Sequence, residues 1–188
     1  RQMCIRDSIN LTHRNWTAVG HPDLPLYPIV DPRGLVTPHI DGWSIDFWVV
    51  DAEGEHLLPS RSDKADQELR FAPNLEVVTR TENQSKVLNT LVCLEIVHGE
   101  PRARISADAL SDDNAWLTVS IRPYNPEGVQ FVERLEFREN SCSWLVNSKS
   151  AVFLGEQPEK VLHSDYREGD VLHSIRENIL QEACSVKC

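Results

Sequence analysis

Trp43-Ser44-Ile45-Asp46-Phe47-Trp48-Val49-Val50 is the stretch whose reading decides the fold. Successive side chains of an extended chain point to opposite sides, so Trp43, Ile45, Phe47 and Val49 share one face and Ser44, Asp46 and Trp48 the other. Aromatic and β-branched residues suit a pleated surface. Asp41-Gly42 in front is a hairpin dipeptide, and Asp51-Ala52-Glu53-Gly54 behind turns the chain back into His56–Pro59. A period of two bounded by turn chemistry predicts an antiparallel strand.

Working outward, Asp31-Pro32-Arg33-Gly34 places Pro where φ is pre-set and Gly where a positive φ is wanted, a turn between extended runs at Tyr27–Val30 and Leu35–His39. Arg61 to Glu68 is polar and reads as a connection. Leu75, Val77 and Thr79 then oppose Glu76, Val78 and Arg80. Val87 to Val97 is apolar on both faces and predicts a central strand buried on both sides. Pro101–Ala107 and Trp116–Tyr124 continue the series around a solvated turn at Asp112-Asp113-Asn114. After Pro126-Glu127-Gly128, the residues Val129, Phe131, Leu135 and Phe137 alternate with Gln130, Arg134, Glu136 and Arg138, predicting one core face and one wet face. Ser143–Val146, Ala151–Leu154 and Lys160–Leu162 bring the total to about ten strands, enough for two packed sheets.

The period changes at Asp170. Val171, Leu172, Ile175, Ile179, Leu180 and Ala183 lie at helical spacing behind Gly169-Asp170 as a start signal. The expected class is therefore mainly β: an antiparallel two-sheet β-sandwich, supersandwich-like, followed by the start of a C-terminal α-helix. Residues 9–168 form the sandwich in this plan, and 169–188 begin a helical linker or a separate helical domain, cut short at Cys188. Arg1-Gln2-Met3-Cys4-Ile5-Arg6-Asp7-Ser8 matches the translation of a transposon-end sequencing adaptor and is set aside from fold reasoning.

The 188 residues carry a formal net charge of −10, which disfavours phosphate backbones and argues against a nucleic-acid partner. No apolar run approaches the roughly 20 residues that cross a bilayer, so no membrane partner is expected. Beyond the adaptor, Cys93, Cys142, Cys184 and Cys188 lack the dense spacing of a disulfide framework and read as reduced cysteines of a cytoplasmic protein. Cys184 and Cys188 have no second pair to complete a tetrahedral zinc set. His39 with Asp41, and His163 with Asp165, each lack a third ligand. No metal and no cofactor is expected.

Catalytic constellations are equally sparse. There is no nucleophile elbow, phosphate loop or dinucleotide fingerprint. Glycoside hydrolysis needs two carboxyl groups about 5–10 Å apart, but acidic residues are so abundant that no pair stands out, and no catalytic residue is assigned. The tryptophans are more informative, because an indole face is what the C–H surface of a sugar stacks on, although it fills cores equally well. Trp43 shares the core face. Trp48, beside Asp46 and Ser44, is the candidate for a sugar or interdomain contact. Arg33 and Arg122 are placed to cap carboxylates or to pair across a domain boundary.

Three segments, Asn15-Trp16-Thr17-Ala18-Val19-Gly20, then Val30 to Pro38 with Gly42 to Trp48, then Ile121-Arg122-Pro123-Tyr124-Asn125-Pro126-Glu127-Gly128, carry a resemblance over most of residues 15–175. They resemble the N-terminal region of bacterial glucoamylase-like and glycogen-debranching-like proteins of the six-hairpin glycosidase kind. In those proteins a β-sandwich precedes an (α/α)6 toroid that carries the catalytic carboxylates. The resemblance implies a non-catalytic accessory domain of a glycoside hydrolase, with an α-glucoside or glycogen-type substrate, whose partners are carbohydrate and the toroid of the same chain. It makes Arg33, Asp46, Trp48, Arg122 and Asn125 cleft-rim or interface residues. The competing expectations are a stand-alone carbohydrate-binding or protein-interaction module and, with least support, a metal-dependent sandwich enzyme.

Overall fold

The structure, a computed structural model, describes residues 16–21, 23–39, 42–52, 55–71 and 74–177. The adaptor-like start, Ile40, Asp41, the Glu53-Gly54 turn and the helical positions Ile179, Leu180 and Ala183 lie outside them. The chain divides into two compact units, Arg1–Gln130 and Phe131–Cys188. The boundary expected near residue 168 thus falls inside the second unit.

The first unit is a two-sheet antiparallel sandwich. One sheet contains β1 (Thr17–Ala18), β2 (Ile29–Val30), β3 (Val36–Thr37), β4 (Ser44–Asp51) and β9 (Ala115–Arg122), in that spatial order. The other is a meander of β5 (Ala65–Phe71), β6 (Leu75–Glu82), β7 (Lys86–Val97) and β8 (Glu100–Ser111). A two-residue hairpin, β10 (Tyr124–Asn125) with β11 (Gly128–Val129), follows β9. The fold class read from the alternation is the one observed.

All eight residues of β4 are buried. Ile45, Phe47 and Val49 pair in register with Ile121, Val119 and Leu117 of β9. In the meander, Val77, Leu88, Val92 and Leu94 are buried together with Thr79, Thr81 and Thr90. Lys86, fully buried at the start of β7, forms an ion pair with Asp51 at the end of β4. His56 Nδ1 lies 3.8 Å from the other Asp51 carboxylate oxygen. The two sheets are thus tied by charge as well as by apolar contact.

Four details of the sequence reading are corrected. The polar stretch at 61–68 is not all connection, since β5 begins at Ala65; its inward residues are Gln67 and Leu69, too mixed to show an apolar period. The strand buried on both faces is β4 and not β7, where Val87, Leu91 and Cys93 are only half-buried. Long polar neighbours such as Arg80, ion-paired to Glu82, share that outer face and keep it wet. The alternation at 129–137 does not mark a core face: Val129 and Phe131 are 68% and 78% exposed, because the chain leaves the sheet at Gln130 and resumes only at Leu135. Lys160–Leu162 is not a strand.

The second unit holds a three-stranded meander of β12 (Leu135–Arg138), β13 (Ser143–Val146) and β14 (Ser150–Phe153). Phe137 and Trp144, cross-strand partners, pack their rings 5.2 Å apart. A helix opens at residue 171 and its described part runs to 177, with Leu172 and Ile175 buried as the helical spacing predicts. Asp170 Oδ1 accepts from Leu172 N, which caps its first turn. Among the described residues no helix is long and apolar enough to cross a membrane.

Gly34 closes the β2–β3 turn at φ +88°, and a Cβ there would meet Thr90 Oγ1 at 3.1 Å and Thr79 at 3.4 Å. Gly34→Ala should therefore cost about 1–3 kcal/mol in equilibrium urea unfolding. Lys86→Met should cost more, about 3–5 kcal/mol, because it leaves the Asp51 carboxylate buried without its cation. Combining it with Asp51→Leu removes both charges and should recover much of that loss. A double variant no more stable than Lys86→Met alone would contradict the ion-pair argument.

Candidate functional site

The strand pairing decides which side chains meet. In β4 the odd-numbered residues face the meander sheet, where Asp51 finds Lys86. Ser44, Asp46 and Trp48 therefore occupy the opposite face, which β9 extends with Arg122 opposite Ser44 and Ser120 opposite Asp46. Ser44, Asp46 and Arg122 on this buried face have partners. Thr37 and Ser44 share a hydroxyl hydrogen bond of 2.8 Å. The Arg122 guanidinium lies over the Trp48 ring at 5.0 Å and over the Tyr124 ring at 5.2 Å, so two aromatic faces hold its charge.

Beside these residues opens a cleft of about 190 Å³ lined by Asp31, Arg33, Leu35, Asp46, Ser60, Tyr124, Asn125 and Pro126. Three local structures build it. The β2–β3 turn is held by Asp31 Oδ1, which accepts from Arg33 N at 2.8 Å and Leu35 N at 2.9 Å. The rigid β4 strand supplies Asp46. The β10–β11 turn is held by Asn125, whose Oδ1 accepts from Glu127 N and Gly128 N while its Nδ2 donates to Gly42 O at 3.0 Å.

Asp46 is 3% exposed. Its Oδ1 accepts from Phe47 N at 2.9 Å and its Oδ2 from the Trp48 indole N–H at 2.8 Å. Loss of water around the carboxyl dominates its acidity and pushes the pKa up from 3.8 to about 6. The Trp48 and Phe47 hydrogen bonds and the Arg122 charge oppose that rise, while the Asp31 charge adds to it. Asp31 is also raised, again by burial first, against the turn hydrogen bonds from Leu35 and Arg33 and the Arg33 charge.

No protein-family model matches the chain, and no curated protein and no solved structure matches it.

Of the five residues singled out in the sequence, Arg33, Asp46 and Asn125 line the cleft. Trp48 and Arg122 do not line it. Trp48 is 3% exposed and spends its N–H on Asp46, so it backs the wall and offers no platform to a ligand. Sequence reasoning passed over Asp31, Ser60 and Tyr124. Asp31 and Tyr124 belong to two of the three segments that carried the resemblance, and adjacency to Arg33 and Asn125 was the signal available. His39 is exposed, and Asp165 is spent on the turn N–H groups of Arg167 and Glu168.

The raised Asp46 pKa makes a signed prediction. The folded chain holds the proton more tightly than the unfolded one, so stability from this group is complete below about pH 4. It is lost as pH rises through about 6, where ionising the buried carboxyl costs on the order of 3 kcal/mol. Thermal melts between pH 4 and 8 should show wild type losing stability relative to Asp46→Asn across that window. Parallel pH profiles for the two proteins would contradict the assignment.

Proposed function

We propose that the first unit is a carbohydrate-binding β-sandwich, the non-catalytic accessory part of a glycoside hydrolase acting on α-glucosides or glycogen-type polymers, and that the Asp31–Asp46–Asn125 cleft seats the sugar. The observation that carries the reading is the composition of that cleft. Two carboxyl groups, a guanidinium, a hydroxyl-bearing residue and a tyrosine gather around one small cavity. Sugars present closely spaced hydroxyls that donate and accept at once, and such a lining can answer both. The volume lies below the roughly 300–1,000 Å³ of drug-sized pockets, which suits one ring and not an extended chain.

On this reading an (α/α)6 toroid of the same protein performs the hydrolysis, and Arg33, Asp46, Trp48, Arg122 and Asn125 serve the cleft or its borders. Acid–base chemistry is not assigned to Asp46, because both of its oxygens are engaged as acceptors by Phe47 and Trp48. The free thiols Cys93 and Cys142 fit the cytoplasm, the compartment we assign. A stand-alone carbohydrate-binding module is the second reading, since the same cleft serves it without a toroid.

Tryptophan fluorescence tests sugar binding directly, because the Trp48 indole is bonded to a cleft residue. Titration with methyl α-glucoside, maltose and glycogen should give saturable changes that Asn125→Ala weakens about tenfold by loosening the β10–β11 wall. No response to any of them would end both carbohydrate readings. The accessory role has a separate test: the gene downstream of the Cys188 codon should encode helical hairpins bearing paired carboxylates, and a stop codon there leaves only the stand-alone module.

A further inference from the structure

The β2–β3 turn presents two side chains of opposite charge to the cleft without joining them in an ion pair. Asp31 commits Oδ1 to the turn, and among the described residues its Oδ2 accepts no hydrogen bond. Arg33 donates from one Nη1 to Ser60 O, and its enclosed Nε–H has no acceptor. No ion pair joins the two. The turn therefore offers the cavity an acceptor edge and a donor fork from residues two positions apart, while Asp46 and Asn125 are occupied holding the walls.

Building on the carbohydrate reading, we propose that Asp31 and Arg33 are the specificity-determining pair, reading adjacent hydroxyls of a single uncharged glycosyl ring. A vicinal diol can donate one proton to the Asp31 carboxylate and accept from the Arg33 fork, and both contacts are charge-assisted. The charges around the cavity come in opposed pairs, Asp31 with Arg33 and Asp46 with the ring-stacked Arg122. A uronate would bring its carboxylate against Asp31 and Asp46. An amino sugar would bring its ammonium against Arg33. The uronate meets two like charges and the amino sugar one, whereas a neutral ring meets none.

Calorimetric titrations of the full chain at neutral pH with methyl α-glucoside, glucuronate and glucosamine test the proposal. The neutral sugar should bind about tenfold more tightly than either charged one. Asp31→Asn, whose amide oxygen can still hold the turn, should weaken the neutral sugar and move the preference toward glucuronate. Arg33→Gln should move it toward glucosamine, an exchange of preference that mere loosening of the turn would not produce. A charged sugar binding wild type as well as the neutral one, or a preference unmoved in both variants, overturns the pair's role while leaving carbohydrate binding intact. If none of the three binds, the carbohydrate reading itself falls. The wild-type order decides the matter should either variant fail to fold.

Discussion

Burial of β4 on both faces is the constraint on which the rest of the structure depends. A strand in the middle of a sandwich usually hides one face and wets the other. Here eight consecutive residues are hidden, and three of them, Ser44, Asp46 and Asp51, are polar. Each demands a partner, because a polar group buried without one costs about 1–3 kcal/mol and a buried charge more. Ser44 meets Thr37, Asp46 meets Trp48 and the Phe47 amide, and Asp51 meets Lys86. The partners come from β3, from β4 itself and from β7, so satisfying one strand organises three.

The two carboxylates of β4 sit on opposite faces and have opposite consequences. Asp51 lies toward the meander and ties the sheets through Lys86. Asp46 lies on the other face, at the cleft, where dehydration raises its pKa to about 6. The parity of the strand enforces the division. Slipping the β4–β9 register by one residue would carry Arg122 away from Trp48 and set the β9 apolar residues beside Asp46. The pairings of Asp46 with Ser120 and Ser44 with Arg122 are therefore conditions for the cleft as much as for the fold.

Period-two alternation made most of the architecture readable, since it marks strands wherever one face is apolar. It failed where that premise failed. β5 turns Gln67 inward, and Gln67 is there to bond Asp31 O and Thr79, a polar use of a core position that leaves no apolar period. Val129 and Phe131 alternate as a core strand would and yet lie exposed, because alternation records side-chain parity and carries no information about what covers the face. Within the site, Arg33, Asp46 and Asn125 were reached through the resemblance, since no local pattern marks them as a group. Trp48 could not be placed: its face was legible, but its contact with Arg122 joins residues 74 positions apart that meet only through strand pairing. Asp31 was hidden for the opposite reason, its turn-forming role being a sufficient account of an aspartate before proline.

That double use of Asp31 explains why the cleft can be precise although a turn supplies half of it. One carboxylate oxygen holds the loop, Gly34 seats the loop against Thr79 and Thr90 of the other sheet, and Gln67 clamps the Asp31 carbonyl at 2.8 Å. Asp31 and Arg33 are thereby fixed before any ligand arrives, so little conformational entropy remains to be lost on binding. The opposite wall is anchored as firmly, by Asn125 reaching across to Gly42 O. Rigidity of this kind favours discrimination over adaptability, because a fixed donor and acceptor two residues apart cannot rearrange to suit a ligand whose groups are differently spaced.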